Sequence, residues 1–364
     1  MHVSEIETPA LLVDLDVMER NLRRAADYCR SHDLRLRPHT KTHKSPLIGR
    51  MQLDLGAAGL TVAKVGEAEV MLASGTPDML LHYPVIGRGK LERLMAVARK
   101  TRVTVALDSV AAAQQLSDAA RAAQVEVGVL TEADVGLNRV GVVPGEELVQ
   151  LAKCVAGLPG LSFEGITCYP GHIKDNGEAG LAQMAELRRV IRQMVDDVER
   201  AGLVVKVMSG GSTPALYHSH EFPGLNEIRP GTYVYNDINT VRSGGCGMED
   251  CAASMLVTVV STARKGQMIV DGGSKTFSSD RCVVKGEHSF GHLVEAPEAN
   301  FHNMNEEHGY VDISRVKAQF AVGDRVHMIP IHICAAVNLH EQMYGIRGDQ
   351  VERVWKVEGR GKLQ

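Results

Sequence analysis

The sequence contains no apolar run of the length that crosses a membrane, and it has no excess of basic residues. Its formal net charge is −4, which gives no electrostatic basis for binding nucleic acid. Seven cysteines, an odd and scattered set in 364 residues, predict free thiols in a reducing cytoplasm rather than a disulfide framework. The first residues, Met1 to Glu5, lack the basic and apolar regions of a secretory signal peptide. We therefore expect a cytoplasmic protein with neither a membrane nor a nucleic-acid partner.

Strand-like and helix-like patterns alternate over most of the chain, after a first strand at residues 9–16 and a helix at 17–31. Eight strand-like runs follow, at residues 34–39, 60–64, 79–84, 102–108, 125–134, 161–169, 204–209 and 226–235. Helical patterns lie between most of them, at residues 46–55, 66–73, 89–98, 110–123, 146–156 and 178–201. This alternation predicts an α/β protein with a (β/α)8 TIM barrel, although a doubly wound sheet would also alternate.

After residue 240 the pattern changes to short alternating runs, separated by turns such as Asp271-Gly272-Gly273. Such runs predict a second, mostly antiparallel β domain. The predicted division is a barrel domain over residues 10–240 and a β domain over residues 241–364, to which residues 1–9 are added.

The stretch from Arg37 to Lys44 (Arg-Pro-His-Thr-Lys-Thr-His-Lys) places two histidines and two lysines within six residues, directly after the first predicted barrel strand. A basic cluster is typical of a solvated face or a phosphate patch. The alternative is a nucleophilic lysine, since burial or neighbouring cations favour the neutral amine. Lys41 is nearest the strand end, whereas Lys44 begins the next helix. Lys41 is therefore the candidate for a Schiff base with an aldehyde cofactor.

Another strand-like run leads into Gly210-Gly211-Ser212-Thr213. Glycines let backbone N–H groups approach an anion, and the hydroxyl groups add donors. In a barrel, the loop after the seventh strand is a frequent phosphate site. A plain glycine turn is the alternative interpretation.

His332 and Cys334 lie two residues apart in a late strand-like run. On a strand, both side chains would point to the same face and could bind one borderline-soft divalent ion such as zinc. An isolated His-x-Cys pair is, however, more often structural.

Taken together, these motifs resemble the fold-type III pyridoxal-phosphate enzymes, specifically the group of D-threonine aldolases and D-serine dehydratases, which shares its barrel with alanine racemase. The similarity covers nearly the whole chain. Arg-Pro-His-x-Lys together with a late His-x-Cys is specific for this group of enzymes, while neither motif alone is specific for it. The matching segments are residues 8–16, 37–44, 63–68, 134–141, 209–213, 229–233, 307–309, 332–334 and 338–340.

The resemblance implies a homodimer in which Lys41 holds pyridoxal phosphate and residues 210–213 surround its phosphate together with Tyr233. It also implies that His332 and Cys334 bind a divalent ion, Zn²⁺ or Mn²⁺, which contacts the β-hydroxyl of the substrate. The further cofactor-binding residues that it implies are His39, Arg139, Tyr169 and Ser209.

Two departures from the family pattern bear on the reaction. Aldolases of this group often have His-x-Asp where this chain has His332-x-Cys334, which is more like the dehydratases, and a thiolate favours zinc over manganese. The loop Tyr169-Pro-Gly-His172 replaces the Tyr-His-Gly arrangement of the aldolases. His172 is our candidate for the histidine that acts as a base there.

Retro-aldol cleavage of a D-3-hydroxy amino acid to glycine and an aldehyde is the reaction we expect, with Lys41 and His172 as catalytic residues. The alternative is dehydration of D-serine, D-threonine or 3-hydroxyaspartate to a 2-oxo acid and ammonia, with Lys41 as the base. A racemase needs a second base and no metal. A non-catalytic cofactor carrier of this fold would not need the second domain.

Overall fold

The computed structural model describes residues 1–284 and 286–364, and for Val284 the backbone alone. Two compact units divide the chain. The β unit comprises Met1–Leu22, Thr42–Lys44 and Thr232–Arg360, and the barrel unit comprises Arg23–Lys41, Ser45–Gly231 and Gly361–Gln364. The chain begins with β1 (Ala10–Asp14) and α1 (Leu15–Ser31).

The barrel unit is built on eight parallel strands in the order β2-β9-β8-β7-β6-β5-β4-β3. A parallel bridge between His39 and Thr61 links the segment after β2 to β3, so the strand pairing closes on itself. The strands are β2 (Arg35–Leu36), β3 (Leu60–Val62), β4 (Asp78–Leu81), β5 (Arg102–Leu107), β6 (Val127–Ala133), β7 (Leu161–Cys168), β8 (Val207–Gly210) and β9 (Glu227–Ile228).

Amphipathic helices separate most of these strands. In α5 the Ser109 hydroxyl accepts a hydrogen bond from the Ala112 N–H at the first turn, Leu116 and Ala120 are buried, and Gln124 ends the helix with a φ of 56°. The helices are α2 (Pro46–Asp54), α3 (Val65–Met71), α4 (Arg88–Ala98), α5 (Val110–Ala123), α6 (Glu146–Gly157) and α7 (Glu178–Arg200). Short 3-10 segments lie at Leu72–Ser74 and Leu216–Glu221.

A nine-stranded, mostly antiparallel sheet forms the β unit, with the order β15-β16-β11-β10-β1-β18-β19, and β17 pairs with both β10 and β14. β12 and β13 form a separate pair. Short 3-10 segments lie at Val3–Glu5, Thr232–Val234 and Met248–Asp250. The remaining elements are α8 (Ile238–Arg242), β10 (Ala253–Ser261), β11 (Gln267–Val270), α9 (Ser274–Phe277), β12 (Cys282–Val284), β13 (Glu287–Ser289), β14 (Gly291–Leu293), β15 (Asn300–Met304), β16 (Gly309–Asp312), β17 (Arg325–Pro330), α10 (Ile333–Val337), β18 (Gln342–Arg347) and β19 (Gln350–Lys356).

The predicted fold class is confirmed: an α/β protein with a parallel barrel sheet and a mostly antiparallel sheet. The units differ from the predicted division at the N-terminus, because β1 pairs with β10 and β18 of the β unit. The strand predicted at residues 226–235 contains only the two residues of β9, since Pro230 has no N–H to donate and residues 232–234 turn into a 3-10 segment. None of the described helices combines the length and apolarity that a membrane crossing requires.

Candidate cofactor and metal sites

Lys41 follows the end of β2 in the barrel unit and is partly buried. Its backbone N–H donates to Nδ1 of His39 at 3.3 Å. The Lys41 amine lies 6.0 Å from the centre of the Tyr169 ring, and the Arg139 guanidinium carbon lies 4.8 Å from the same centre. The barrel unit thus brings Lys41 and Arg139 together at the ring of Tyr169, and all three are predicted site residues.

The glycine-rich loop after β8 has the backbone that an anion site needs. Gly211 has a φ of +80°, and a Cβ there would lie 3.3 Å from Ile228, so both its conformation and its close approach favour glycine. Ser212 and Thr213 are buried, and the Ser212 hydroxyl accepts a hydrogen bond from the Ala215 N–H at 3.5 Å. The loop therefore fits the phosphate of the predicted cofactor, with two hydroxyl groups beside a compact backbone.

Ser209 lies on β8 itself, and its hydroxyl makes its hydrogen bonds away from the loop. It donates to Oε1 of Glu227 at 2.8 Å and accepts a hydrogen bond from Nη1 of Arg229. Nη2 of Arg229 donates to the Cys168 carbonyl oxygen and to Nε2 of His82, both at 3.0 Å. A network of buried polar groups therefore adjoins the loop.

The prediction missed His82 and Arg229 as site residues. Burial lowers the pKa of His82 well below its usual range, and the positive charges of Arg229, Arg139 and Lys41 lower it further. His82 is therefore a neutral imidazole whose Nε2 accepts a hydrogen bond from Arg229. The signal was in the sequence, because His82 directly follows the strand β4 and residues at such strand ends face the site in a barrel.

Glu132, on β6, is a further polar group beside this network. It is 1% exposed, and Oε1 lies 3.8 Å from Nε2 of His82. Burial raises the pKa of Glu132 to about 7, against the lowering effect of the Arg229 and Arg139 charges. Its protonation state therefore changes close to neutral pH.

His172, the predicted base, lies beside Gly136, where an added Cβ would be 3.2 Å from Cε1 of the imidazole. Nδ1 of His172 is buried and has no hydrogen-bond partner among the described residues.

The β unit contains His332 and Cys334, but not on a strand as predicted. β17 ends at Pro330, His332 is the residue before α10, and Cys334 lies in the first turn of that helix. Pro330 ends the strand, and the Asp237 carboxylate accepts the Ile333 N–H at 3.0 Å in the first turn of the helix, which explains the change from strand to helix. Tyr233 belongs to the same unit and is buried in the 3-10 segment Thr232–Val234.

The two predicted ligands lie next to each other. A hydrogen bond with the Cys334 side chain raises the pKa of His332 to about 9, against the lowering effect of burial, and Asp237 and Asp280 add to the rise. Asp280 Oδ2 lies 2.7 Å from Nδ1 of His332. Thr42 and Thr232 hold the Cys334 sulfur at 3.0 and 3.6 Å.

This donor set suits a borderline-soft divalent cation. A carboxylate on Nδ1 of a histidine orients the ring and leaves Nε2 for the metal, which is the usual support for such a ligand. Over the residues that the structure describes, His, Cys, Asp and Glu side chains form no group of three or more with metal-binding geometry. The protein thus offers two adjacent ligands, and a substrate or water would supply the others.

A parallel barrel with a lysine at a strand end, a glycine-rich loop and an added β domain defines a fold-type III pyridoxal-phosphate enzyme, and comparison with known proteins agrees. A family model described as "Alanine racemase, N-terminal domain" matches residues 13–238, and one described as "Putative serine dehydratase domain" matches residues 252–346. The 3-hydroxy-D-aspartate aldolase of Paracoccus denitrificans (strain Pd 1222) is 32% identical over 100% of this chain and 94% of its own.

Solved structures show the same relationship. The D-threonine aldolase from Filomicrobium marinum has a TM-score of 0.93 and 32% identity, with 99% of this chain and 97% of the other covered. The D-threo-3-hydroxyaspartate dehydratase from Delftia sp. HT23 has a TM-score of 0.89 and 30% identity, with 98% of each chain covered. A cysteine-to-alanine variant of the dehydratase of that name has been solved in the metal-free form.

The chain therefore belongs to the alanine-racemase-like family, in the group that contains these aldolases and dehydratases. This confirms the resemblance, the cofactor class that it implies, pyridoxal phosphate, and the enzyme class, a lyase.

Proposed function

We propose that this chain cleaves D-3-hydroxy amino acids to glycine and an aldehyde, using pyridoxal phosphate and a divalent cation. The observation that carries the proposal is the full-length similarity, at 32% identity, to a 3-hydroxy-D-aspartate aldolase and to a solved D-threonine aldolase. D-threonine and 3-hydroxy-D-aspartate are accordingly the two substrates to test first.

On the cofactor side, Lys41 is the residue that bonds to the aldehyde, and residues 210–213 receive the phosphate. The φ of Gly211 and the buried hydroxyls of Ser212 and Thr213 support this assignment. Arg139 and Tyr169 orient the ring, with His39 and Tyr233 as further contacts. When bound, the cofactor supplies a sink for the electron pair left on the substrate Cα.

On the metal side, His332 and Cys334 hold the divalent cation, and Asp280 orients the imidazole. The cation supplies Lewis acidity that makes the β-hydroxyl a stronger acid. A thiolate ligand favours Zn²⁺ over Mn²⁺ at this pair.

His172 takes the proton of the β-hydroxyl. The O–H electron pair forms the carbonyl of the leaving aldehyde, the Cα–Cβ bond breaks, and Cα takes up a proton to give glycine. The buried Nδ1 of His172, which lacks a hydrogen-bond partner among the described residues, supports this role.

Product analysis tests the proposal. Purified enzyme with pyridoxal phosphate and either Zn²⁺ or Mn²⁺ is given D-threonine, with L-threonine as the control. We expect equal amounts of glycine and acetaldehyde from the D-isomer alone. Formation of L-allothreonine, the product of inversion at Cα alone, would indicate a racemase, and the absence of any product from D-threonine and from 3-hydroxy-D-aspartate would overturn the proposal.

Dehydration is the second candidate, and the cysteine at position 334 favours it. The solved dehydratase is 30% identical to this chain, and its cysteine-to-alanine variant was solved without metal. In this reaction Lys41 removes the α-proton and the β-hydroxyl leaves as hydroxide. Formation of 2-oxobutyrate and ammonia from D-threonine would establish it, and His172 would then have no role as a hydroxyl base.

We further propose a cytoplasmic homodimer that acts on a small molecule and has no nucleic-acid or membrane partner. The family resemblance supports the dimer, and the absence of any disulfide among the described cysteines is compatible with a reducing compartment. Light scattering should give twice the chain mass of 39.4 kDa. A mass of one chain at micromolar concentration would contradict the dimer.

A further inference from the structure

Ser209 is part of the Ser209-Gly-Gly-Ser-Thr213 motif, and the motif alone counts it among the cofactor-binding residues. In the structure Ser209 is completely buried on β8, one residue before the loop turns. Its hydroxyl donates to Glu227 at 2.8 Å and accepts from Arg229. A hydroxyl group has one proton to donate, and here Glu227 receives it.

Glu227, which accepts the hydrogen bond from Ser209, is itself held in place. It is completely buried, and its second oxygen, Oε2, accepts from Nε of Arg37 at 2.9 Å. Both carboxylate oxygens are therefore engaged, one by Arg37 and one by Ser209. A carboxylate held in this way fixes the direction of the hydroxyl that donates to it.

Arg229 is the group that donates a hydrogen bond to the Ser209 hydroxyl. It is 6% exposed, burial lowers its pKa, and the Glu227 charge raises it. Its second nitrogen, Nη2, lies 3.0 Å from Nε2 of His82. Nη2 also donates to the carbonyl oxygen of Cys168, the residue before Tyr169, which places Arg229 on the side of the site where the cofactor ring is proposed to bind.

We propose that Ser209 is a positioning residue rather than a phosphate ligand: its hydroxyl links Glu227 to Arg229 and so fixes the Arg229 guanidinium beside His82, on the ring side of the site. This inference rests on the proposed function, because it concerns the binding of pyridoxal phosphate. It separates the motif into two parts. Residues 210–213 serve the phosphate, and Ser209 serves the ring.

The dissociation constants of the cofactor with and without its phosphate distinguish a positioning residue from a phosphate ligand. Absorbance titration gives the dissociation constants of pyridoxal phosphate and of pyridoxal, which has no phosphate, for the wild type and Ser209→Ala. We expect both constants to rise by the same factor, about 10- to 100-fold for a lost hydrogen bond to a charged group. Weakening confined to pyridoxal phosphate would show that Ser209 is a phosphate ligand and would overturn the proposal.

A double-mutant cycle with Arg229→Lys separates positioning from a general loss of structure. If Ser209 acts through Arg229, Ser209→Ala adds nothing in the Arg229→Lys background, whereas independent effects add. Ser117→Ala is the matched control, because Ser117 is also completely buried and its hydroxyl donates to the Pro159 carbonyl, outside this network. It should leave both dissociation constants unchanged.

Additive effects in the cycle would overturn the proposal. If Ser209→Ala does not fold, Ser209→Cys keeps the side-chain volume while weakening both hydrogen bonds, and the same two comparisons apply. A wild type that binds neither form of the cofactor would instead refute the proposed function.

Discussion

At the scale of single residues, Lys41 is the position on which the proposed chemistry depends most. Lys41→Ala should remove the cofactor absorbance and lower activity by at least about 1000-fold, as occurs when an enzyme loses its nucleophile. Spectra of the purified variant and turnover of D-threonine measure both effects. Lys64→Ala is the control, since its amine stacks on Tyr83 at 3.6 Å, and it should keep the absorbance.

The alternative lysine of the same stretch can be tested without a mutation. Borohydride reduction fixes the cofactor to the lysine that holds it, and mass spectrometry of the peptides identifies the position. We expect Lys41. Modification of Lys44, whose amine lies 3.4 Å from the Gly359 carbonyl, would refute the assignment.

Glu132 predicts a dependence of stability on pH. Its pKa is raised from 4.5 to about 7, so the folded protein binds its proton more tightly than the unfolded chain does. This proton therefore contributes at most about 3 kcal/mol to the free energy of unfolding below pH 4.5. The contribution is lost as the pH rises towards 7. Urea unfolding of the cofactor-free wild type and of Glu132→Gln, each at pH 5 and pH 8, should differ by this contribution, because the opposite contribution of His82, whose pKa is lowered, is common to both.

An exposed glutamate serves as the control for this measurement. Glu186 lies on the surface of α7, and Glu186→Gln should keep the pH dependence of the wild type. An unchanged slope in Glu132→Gln would mean that another group causes the dependence.

Residue positions at strand ends were predictable only when the end of the strand was known. The run predicted at residues 79–84 includes both His82 and Tyr83, but β4 ends at Leu81. His82 then joins the polar network, while Tyr83 is 46% exposed. A shift of one residue changes which side chain faces inward, and apolar patterns do not fix strand ends that closely.

At the scale of elements, buried ion pairs connect the residue after β2 to the first residues of β4 and β9. Arg37 is 4% exposed and pairs with Glu227 and Asp78, each at 2.9 Å. Arg37→Ala would leave two acids buried without their cation, which costs about 3–5 kcal/mol of the free energy of unfolding. Denaturation followed by far-ultraviolet circular dichroism measures this cost.

Arg35, which lies on β2 two residues before Arg37, provides the comparison. Its side chain is 44% exposed and lies 3.7 Å from Glu227. Exposed pairs contribute little, so Arg35→Ala should cost at most about 1 kcal/mol. Equal costs for the two variants would show that burial of the pairs is not what matters.

Elements were predictable where one rule acted alone. The helical pattern at residues 110–123 is one example, and the structure has the helix α5 there. The segment after β17 was not predictable, because two rules compete there: the apolar run continues through Ile331 and Ile333, while Asp237, nearly a hundred residues earlier, caps the helix α10. A cap supplied by a distant residue leaves no local signal.

At the scale of the whole molecule, most of the predicted cofactor residues belong to the barrel unit, whereas Tyr233 and the predicted metal pair belong to the β unit. The sequence indicated both because each has a local motif. Interactions such as those of Thr42 and Asp280 with the metal pair had no signal, since these residues lie far from positions 332 and 334 in the chain. Such long-range pairs can be found only from the folded structure.

If both units serve one reaction, removing the cation must stop turnover while leaving the cofactor in place. Chelation should therefore abolish activity without loss of the cofactor absorbance, and Cys334→Ala should lose its tightly bound metal.

Cys334→Asp should recover cation binding with a preference shifted from Zn²⁺ towards Mn²⁺, because a carboxylate is a harder ligand than a thiolate. Metal content and turnover with each ion measure these effects. Cys154→Ala, which removes a partly buried cysteine of α6, should change none of them. Full activity in a metal-free preparation would remove His332 and Cys334 from the mechanism and leave the barrel unit to carry out the reaction alone.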